Sequence, residues 1–312
     1  MTNIKKLGLT ALAGSLVATS AYAGELAVSG TAKLTYASQH DTETTGNPYS
    51  MSKGIGFSGS GDLDNGMAIA YQYTMTDAAF SSSSLKLDMG DTGTLSFSNG
   101  AGTTGISAYD DKMPTAGEEV WDDLDGQASG VATISNKGTI GYAGSFGPVG
   151  VSASYNKDDK ASPTTTAGSS HSLVVSMSPA DGVSQFIGTG DKSGSTANNG
   201  TDMYTAGVTY TAGAFTLGFQ TTDIDVSAVN GDTDRNHLAA SFAVNENMSI
   251  SYGMSTVGFE DPAKVDQEDA GVAVSYTMGS MTLGAFRNTS DDVGGTASAE
   301  DSVTEVSLAF AF

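Results

Sequence analysis

The sequence predicts an all-β protein, a transmembrane antiparallel β-barrel of sixteen strands with short turns at one end and long loops at the other. Two observations carry this prediction. Apolar residues fall on every second position in sixteen separate runs, which is the spacing of a strand with one apolar face. The connections between the runs alternate between short and long, as expected for successive hairpins that close into a barrel.

The first run shows the alternation most simply. Its apolar or small residues are Leu26, Val28, Gly30, Ala32, Leu34 and Tyr36, and the intervening positions are mostly polar. On a helix these residues would be scattered around the whole cylinder and would form no continuous apolar stripe. The period of two therefore favours a strand.

The same period recurs along the rest of the chain, and the runs are separated by residues typical of turns. In order, the further predicted strands cover residues 51–57, 67–75, 85–89, 95–97, 140–146, 149–155, 173–177, 183–190, 204–210, 215–219, 238–244, 248–254, 272–278, 281–285 and 306–312.

The short connections hold two to five residues, such as 212–213, 245–247 and 279–280. Every second connection is long, so all long connections emerge at one rim of an up-and-down sheet. They cover residues 39–48, 77–82, 100–137, 157–169, 191–201, 222–235, 256–269 and 289–301. Closing such a sheet removes the strand edges that a membrane cannot accommodate.

Two features favour lipid, rather than a protein core, as the partner of the apolar face. Aromatic residues of that face gather near strand ends, as Tyr36, Tyr210 and Tyr252 do, where an interfacial girdle would lie. The opposite face is predicted to be small and hydrophilic, and it includes Lys33 and Lys86. A barrel of sixteen strands is too wide for such side chains to fill, so we expect an aqueous channel.

The amino terminus has the three parts of a secretory signal peptide. Lys5 and Lys6 precede an apolar run from Leu7 to Ala18, and Ala21-Tyr22-Ala23 offers small residues for cleavage. The apolar run is shorter than the roughly 20 residues that a spanning helix needs. We therefore predict a signal peptide over residues 1–23 and a barrel domain over residues 24–312.

Composition excludes several functional classes. The formal charge of −22 gives no basic surface for nucleic acid. The absence of Cys removes disulfides, thiolate metal sites and Cys nucleophiles. A barrel hydrolase of the phospholipase kind is the enzymatic alternative, but nothing in the sequence positions Ser, His and an acid together. We predict no enzymatic activity.

The chain resembles the Gram-negative general porins, and in particular their Rhodobacter-like alphaproteobacterial branch. The resemblance is carried by the strand Glu25–Tyr36, the turn and strand Gly90–Phe97, the long connection after the fifth strand and the terminal segment Val306–Phe312. It implies a homotrimer of diffusion pores in the bacterial outer membrane beside lipopolysaccharide, with short periplasmic turns and long external loops. It also implies recognition of Phe312 by the barrel-assembly machinery, and no cofactor.

In this family the third long loop folds inward as a constriction, which here corresponds to residues 100–137. Its acidic residues are the candidate constriction residues: Asp110, Asp111, Glu118, Glu119, Asp122, Asp123 and Asp125. Lys33 and Lys86 match the opposing basic wall by strand and by face. The chain departs from the family pattern of clustered arginines, because its only arginines are Arg235 and Arg287.

Most of the acidic residues fall in the predicted long connections, so we expect a channel that prefers cations. The alternative is that these acids only keep the rim soluble or bind divalent ions there. Ca²⁺ could find oxygen ligands in acidic groups such as Asp223 with Asp225. Trp121, the only Trp, is expected to pack the loop against the wall rather than to line the constriction.

Two other functions remain open from the sequence. One is a substrate-selective outer-membrane channel whose lumen binds one class of solute. The other is an exported structural or adhesive β-protein that uses its acidic loops for contact.

Overall fold

The computed structural model describes residues 26–39, 46–77, 79–100, 104–110, 112–126, 130–131, 138–157, 168–193 and 200–312. The predicted signal peptide lies outside these residues. Among the described residues, no helix is long and apolar enough to cross a membrane.

Sixteen strands form one closed antiparallel barrel, as predicted. Short 3-10 helices cover Gly90–Thr92, Ile106–Tyr109 and Val293–Gly295. The strands are β1 (Ala27–Gln39), β2 (Tyr49–Asp62), β3 (Ala68–Thr76), β4 (Ala79–Asp88), β5 (Thr94–Asn99), β6 (Thr139–Phe146), β7 (Val149–Lys157), β8 (Ser169–Ala180), β9 (Val183–Lys192), β10 (Thr201–Ala212), β11 (Phe215–Val226), β12 (Thr233–Asn245), β13 (Met248–Phe259), β14 (Gln267–Met278), β15 (Met281–Asp291) and β16 (Glu300–Ala311).

Each strand pairs with its neighbours in the sequence, and β1 pairs with β16 to close the ring. The closure extends to the last residue of the chain. The amide of Gly30 donates to the carbonyl of Phe312 at 3.1 Å, and the amide of Phe312 donates to the carbonyl of Gly30 at 2.8 Å. The order of hydrogen-bonded strands is therefore closed around the whole ring.

The apolar face of the sheet points outward, as the alternation predicts. Outward residues such as Leu34, Phe219 and Leu238 are 41–50% exposed. Residues on the opposite face, such as Ser152 and Ser154 on β7, are buried inside the ring. An exposed apolar band around a closed sheet is the surface that lipid would cover.

Aromatic side chains border this band. On β10, Tyr204 and Tyr210 are 56% and 49% exposed and lie on either side of outward-facing Ala206 and Val208. The two tyrosines are six positions apart on the strand, which corresponds to about 20 Å. Val208 therefore lies within the apolar band, away from both aromatic borders.

The strands extend farther toward the long-loop rim than the alternation predicts. The clearest correction concerns the predicted long connection 77–82, because β4 begins at Ala79 and only residues 77–78 separate it from β3. Similarly, β11 continues to Val226 and β14 already begins at Gln267. Above the lipid the backbone ladder continues, but nothing there requires alternating polarity, so the sequence signal ends before the strand does.

Lys53 lies on the outward face near this rim, as its position in the alternation predicts. Its Nζ is 3.3 Å from Oδ1 of Asp77, and both side chains are more than half exposed. Arg287, another outward basic residue, donates from Nη1 to Oγ1 of Thr304 at 3.0 Å. Both charges have polar partners on the outer surface.

The outward orientation can be tested with a pair of adjacent substitutions on β10. Val208→Lys places a charge in the lipid band and should lower the free energy of unfolding by about 2–4 kcal/mol. Thr209→Lys places the same charge in the lumen and should cost much less. The measurement is a urea titration in lipid vesicles, followed by the gel mobility of the folded form. Equal losses for the two variants would contradict the assigned faces.

Candidate functional site

The long connection between β5 and β6, residues 100–138, is called the inner loop here. Its described residues lie against the inner face of the barrel. The backbone amide of Gly105 donates to Oγ of Ser152 on β7 at 2.8 Å. Farther along, the amide of Ala116 donates to Oγ of Ser251 on β13, also at 2.8 Å. Both serines belong to the polar face, which places the loop inside the ring.

The loop then continues along the wall toward β16. Asn288 on β15 donates from Nδ2 to the backbone carbonyls of Glu119 at 2.9 Å and Asp122 at 3.1 Å. The amide of Asp125 donates to Oδ2 of Asp301 on β16 at 2.7 Å. The inner loop is thus fixed along the inner wall between β7 and β16 by hydrogen bonds to side chains of that wall.

Apolar contacts hold the loop as well. The sequence pattern did not predict these contacts, because it indicates a small and hydrophilic inner face. Three clusters join loop residues to inward apolar residues of the strands. They are Ile106 and Val131 with Val174, Met203 and Ile224; Met113, Val120 and Trp121 with Ala239; and Ala116 with Ala273, Phe286 and Val303. The signal that could have revealed them is the presence of large apolar residues on the otherwise polar face.

Trp121 packs against the wall, as expected. Its side chain is 7% exposed, and its ring centroid lies 4.2 Å from that of His237, a fully buried residue of β12. Glycines on the wall make room for this part of the loop. A Cβ at Gly253 would lie 2.7 Å from Cγ1 of Val120, and a Cβ at Gly218 would overlap Pro114. The close approach of loop and wall requires glycine at both positions.

The structure brings together three of the seven predicted acidic residues of the loop. Glu118, Glu119 and Asp122 place carboxylate oxygens within 4.8 Å of one another, and all three side chains are partly exposed. This is the one group of three such ligands among the described residues. This group lies on the inner loop. In the part of the chain that the structure describes, the pairs that spacing suggested for Ca²⁺, such as Asp223 with Asp225, do not belong to a group of three such ligands.

The other predicted acids have different surroundings. Oδ1 of Asp110 accepts a hydrogen bond from the amide of Val131, so it joins two parts of the loop. Asp123 is exposed and adopts a left-handed backbone conformation with φ 59°, and Asp125 holds β16 through its amide. Asp111 lies outside the described residues.

The two predicted basic residues both lie on the inner face, but only one meets the loop. Nζ of Lys33 on β1 lies 2.8 Å from Oε1 of Glu305 and 3.4 Å from Oε1 of Glu118. Lys86 on β4 is exposed in the lumen, and no carboxylate of the described residues lies within 4 Å of its Nζ. Arg235 faces inward from β12 but is only 4% exposed.

Several acids that the sequence assigned to loops lie instead on strands, and their faces differ. Asp269 and Asp301 are inward and buried. Asp223 and Asp225 are on the outward face of β11, where Asp223 stands opposite Asp234 and Asp225 opposite Asp202 on the neighbouring strands. Acidic residues at the rim are therefore divided between the lumen and the outer surface.

A family model described as Gram-negative porin matches residues 8–311 of the chain. No curated protein sequence gives a significant match. Among solved structures, a porin refined at 1.8 Å resolution superposes with a TM-score of 0.71 at 13% identity, covering 92% of this chain and 100% of that one.

Two further structures show the same fold. An anion-selective porin from Comamonas acidovorans has a TM-score of 0.67 at 16% identity, with 93% of this chain and 100% of that one covered. A substituted Rh. blastica porin has a TM-score of 0.63 at 15% identity, with coverage of 92% and 100%. These likenesses establish the fold shared with porins.

The family match, the closed sixteen-stranded barrel and the outward apolar band agree with one another. Porins of this kind are generally trimeric and are channels rather than enzymes. The chain belongs to the Gram-negative porin family, and it is an outer-membrane diffusion channel.

Proposed function

We propose that this channel passes small hydrophilic solutes and ions down their gradients and prefers cations. The observation that supports the preference is the group of carboxylates from Glu118, Glu119 and Asp122 on the inner loop. All three side chains are partly exposed, on a loop that is fixed to the wall between β7 and β16. Transport by this mechanism combines size exclusion with an electrostatic bias and requires no cofactor.

Two of the inward basic residues, Lys33 and Arg235, are ion-paired or buried. The positive charge of Lys33 is shared between Glu305 and Glu118. One lysine and two glutamates together carry a net negative charge. Arg235 is only 4% exposed, and the exposed positive charges include Lys86 on the facing wall and Lys112 on the inner loop. An excess of negative charge raises the local concentration of cations and repels anions, over a range of about 8 Å at physiological salt.

Neutralising the loop carboxylates tests this preference. Glu118→Gln combined with Glu119→Gln should lower the ratio of cation to anion permeability by about twofold, because two charges leave the lumen. The readout is the reversal potential of single channels in a planar bilayer under a KCl gradient.

The matched control is Asp223→Asn combined with Asp225→Asn, which removes the same charge from the outer surface of β11. We expect this control to leave the reversal potential nearly unchanged. An anion-selective unmodified channel, or equal shifts in the two double variants, would refute the assignment to the loop.

We also propose that the seating of the inner loop sets the size of the opening. Trp121→Ala removes the largest buried side chain from the cluster that joins Met113 and Val120 of the loop to Ala239 of the wall. This loss should loosen the loop. The expected result is an increase in open-channel current noise with a changed mean conductance. Tyr252→Ala, which removes an outward aromatic side chain from β13, serves as the control. A quiet, unchanged channel in Trp121→Ala would show that this contact does not control the opening.

For assembly, we propose a homotrimer in contact with lipopolysaccharide, and recognition of the Phe312 side chain by the barrel-assembly machinery. The backbone of Phe312 already bonds Gly30, so side chain and backbone can be separated experimentally. Phe312→Ala keeps both backbone hydrogen bonds and should refold normally in vesicles without the machinery. In cells we expect a reduced amount of folded protein in the outer membrane, measured by gel mobility of membrane fractions. A normal amount of folded Phe312→Ala protein in cells would contradict the proposed recognition of the Phe312 side chain.

Binding of Ca²⁺ is a separate proposal, for which Glu118, Glu119 and Asp122 offer three oxygen ligands. Calorimetry of Ca²⁺ addition to the detergent-solubilised channel tests it, and an absence of heat would reject it.

The exported adhesive protein considered from the sequence is not favoured, because the exposed apolar band is unsuited to water.

A further inference from the structure

A cavity of about 630 Å³ opens to the lumen beneath the inner loop, on the side of the short turns. Its walls are the inward faces of β6 to β10 and the loop residues near Tyr109. We call this cavity the lower pocket. Its volume falls within the range of 300–1,000 Å³ that is typical of small-molecule sites.

One side of the lower pocket is aromatic. The rings of Tyr109 on the loop and Phe186 on β9 lie with centroids 4.9 Å apart and planes tilted by 52°. Both side chains pack against the buried cluster around Ile106, and this packing holds the two rings in position. Gly207, the cross-strand neighbour of Phe186, leaves the space that the ring occupies, because a Cβ there would overlap it.

The remaining walls carry hydroxyl groups, supplied by Ser145, Ser152, Ser176, Ser184 and Thr209. A hydroxyl both donates and accepts hydrogen bonds, so these walls match a solute whose own groups do the same. Among the described lining residues, Lys112 is the only charged one. Its Nζ lies 5.3 Å from the ring centroid of Tyr109, where its N–H groups can donate to a solute oxygen.

This combination distinguishes between classes of solute. A cation would meet Lys112 and no carboxylate of the described lining, and an apolar molecule would leave the hydroxyls without partners. A cyclic sugar has an apolar C–H face for the aromatic rings and hydroxyls around its edge for the serines and threonine. We infer that the lower pocket is a binding subsite for neutral cyclic polyols of monosaccharide size. This inference rests on the proposed function, since solute would reach the subsite by passing through the channel.

The test is the ionic conductance of single channels in a planar bilayer as galactose or mannitol is added at matched viscosity. Galactose should reduce the conductance in a saturable manner, because a bound ring obstructs the ion path. Mannitol has the hydroxyls but no ring face and should produce only the linear decrease that viscosity explains. A linear response to galactose in a channel of normal conductance would overturn the subsite while leaving the pore intact.

Two Phe→Leu variants separate the subsite from general effects. Phe186→Leu removes a ring from the pocket and should raise the galactose concentration for half-maximal reduction by about fivefold. Phe219→Leu removes an outward ring from the nearby strand β11 and should leave that concentration within about twofold. Equal shifts in the two variants would overturn the role of Phe186. A folded protein that forms no channels would instead contradict the proposed function itself.

Discussion

The pairing of the backbone across the junction of β1 and β16 is the constraint on which the rest of the structure depends. A strand in lipid has no water to satisfy its amides and carbonyls, so every one of them needs a partner in the sheet. The mutual hydrogen bonds of Gly30 and Phe312 carry this pairing to the chain terminus. Once the ring is closed, one face of every strand belongs to lipid and the other to the lumen, and the positions of all functional groups follow from that division.

Closure also creates the problem that the inner loop addresses. Sixteen strands enclose more space than their inward side chains fill, and a wide opening discriminates poorly between solutes. The loop occupies part of this space and is held by serine hydroxyls, Asn288, Asp301 and three apolar clusters. The result is an asymmetric lumen. The wall between β7 and β16 is covered by an acidic segment, and the facing wall keeps its own side chains, including Lys86.

Alternation predicted the strands, their order and their faces, because lipid imposes a period of two on every outward residue. It placed Lys33 and Lys86 in the lumen for the same reason. Near the long-loop rim this pressure ends, so the boundaries at Val226 and Gln267 and the short connection after β3 could not be predicted. The contacts of the loop were also beyond reach. Whether Val174 or Met203 lines water or supports a loop depends on a segment more than forty residues away in sequence.

The inner loop has one further property, which follows from how far its partners lie from it in the sequence. The loop precedes β6 in sequence, yet its partners include Asn288 and Asp301, and the contact of Asp125 with Asp301 spans 176 residues. Such non-local contacts cannot form until the strands that bear them have been placed. The loop is therefore among the last parts to become ordered, and it can dock only on an essentially completed ring. Since the sole indole of the protein belongs to this loop, intrinsic fluorescence reports the final docking step separately from the insertion of the strands.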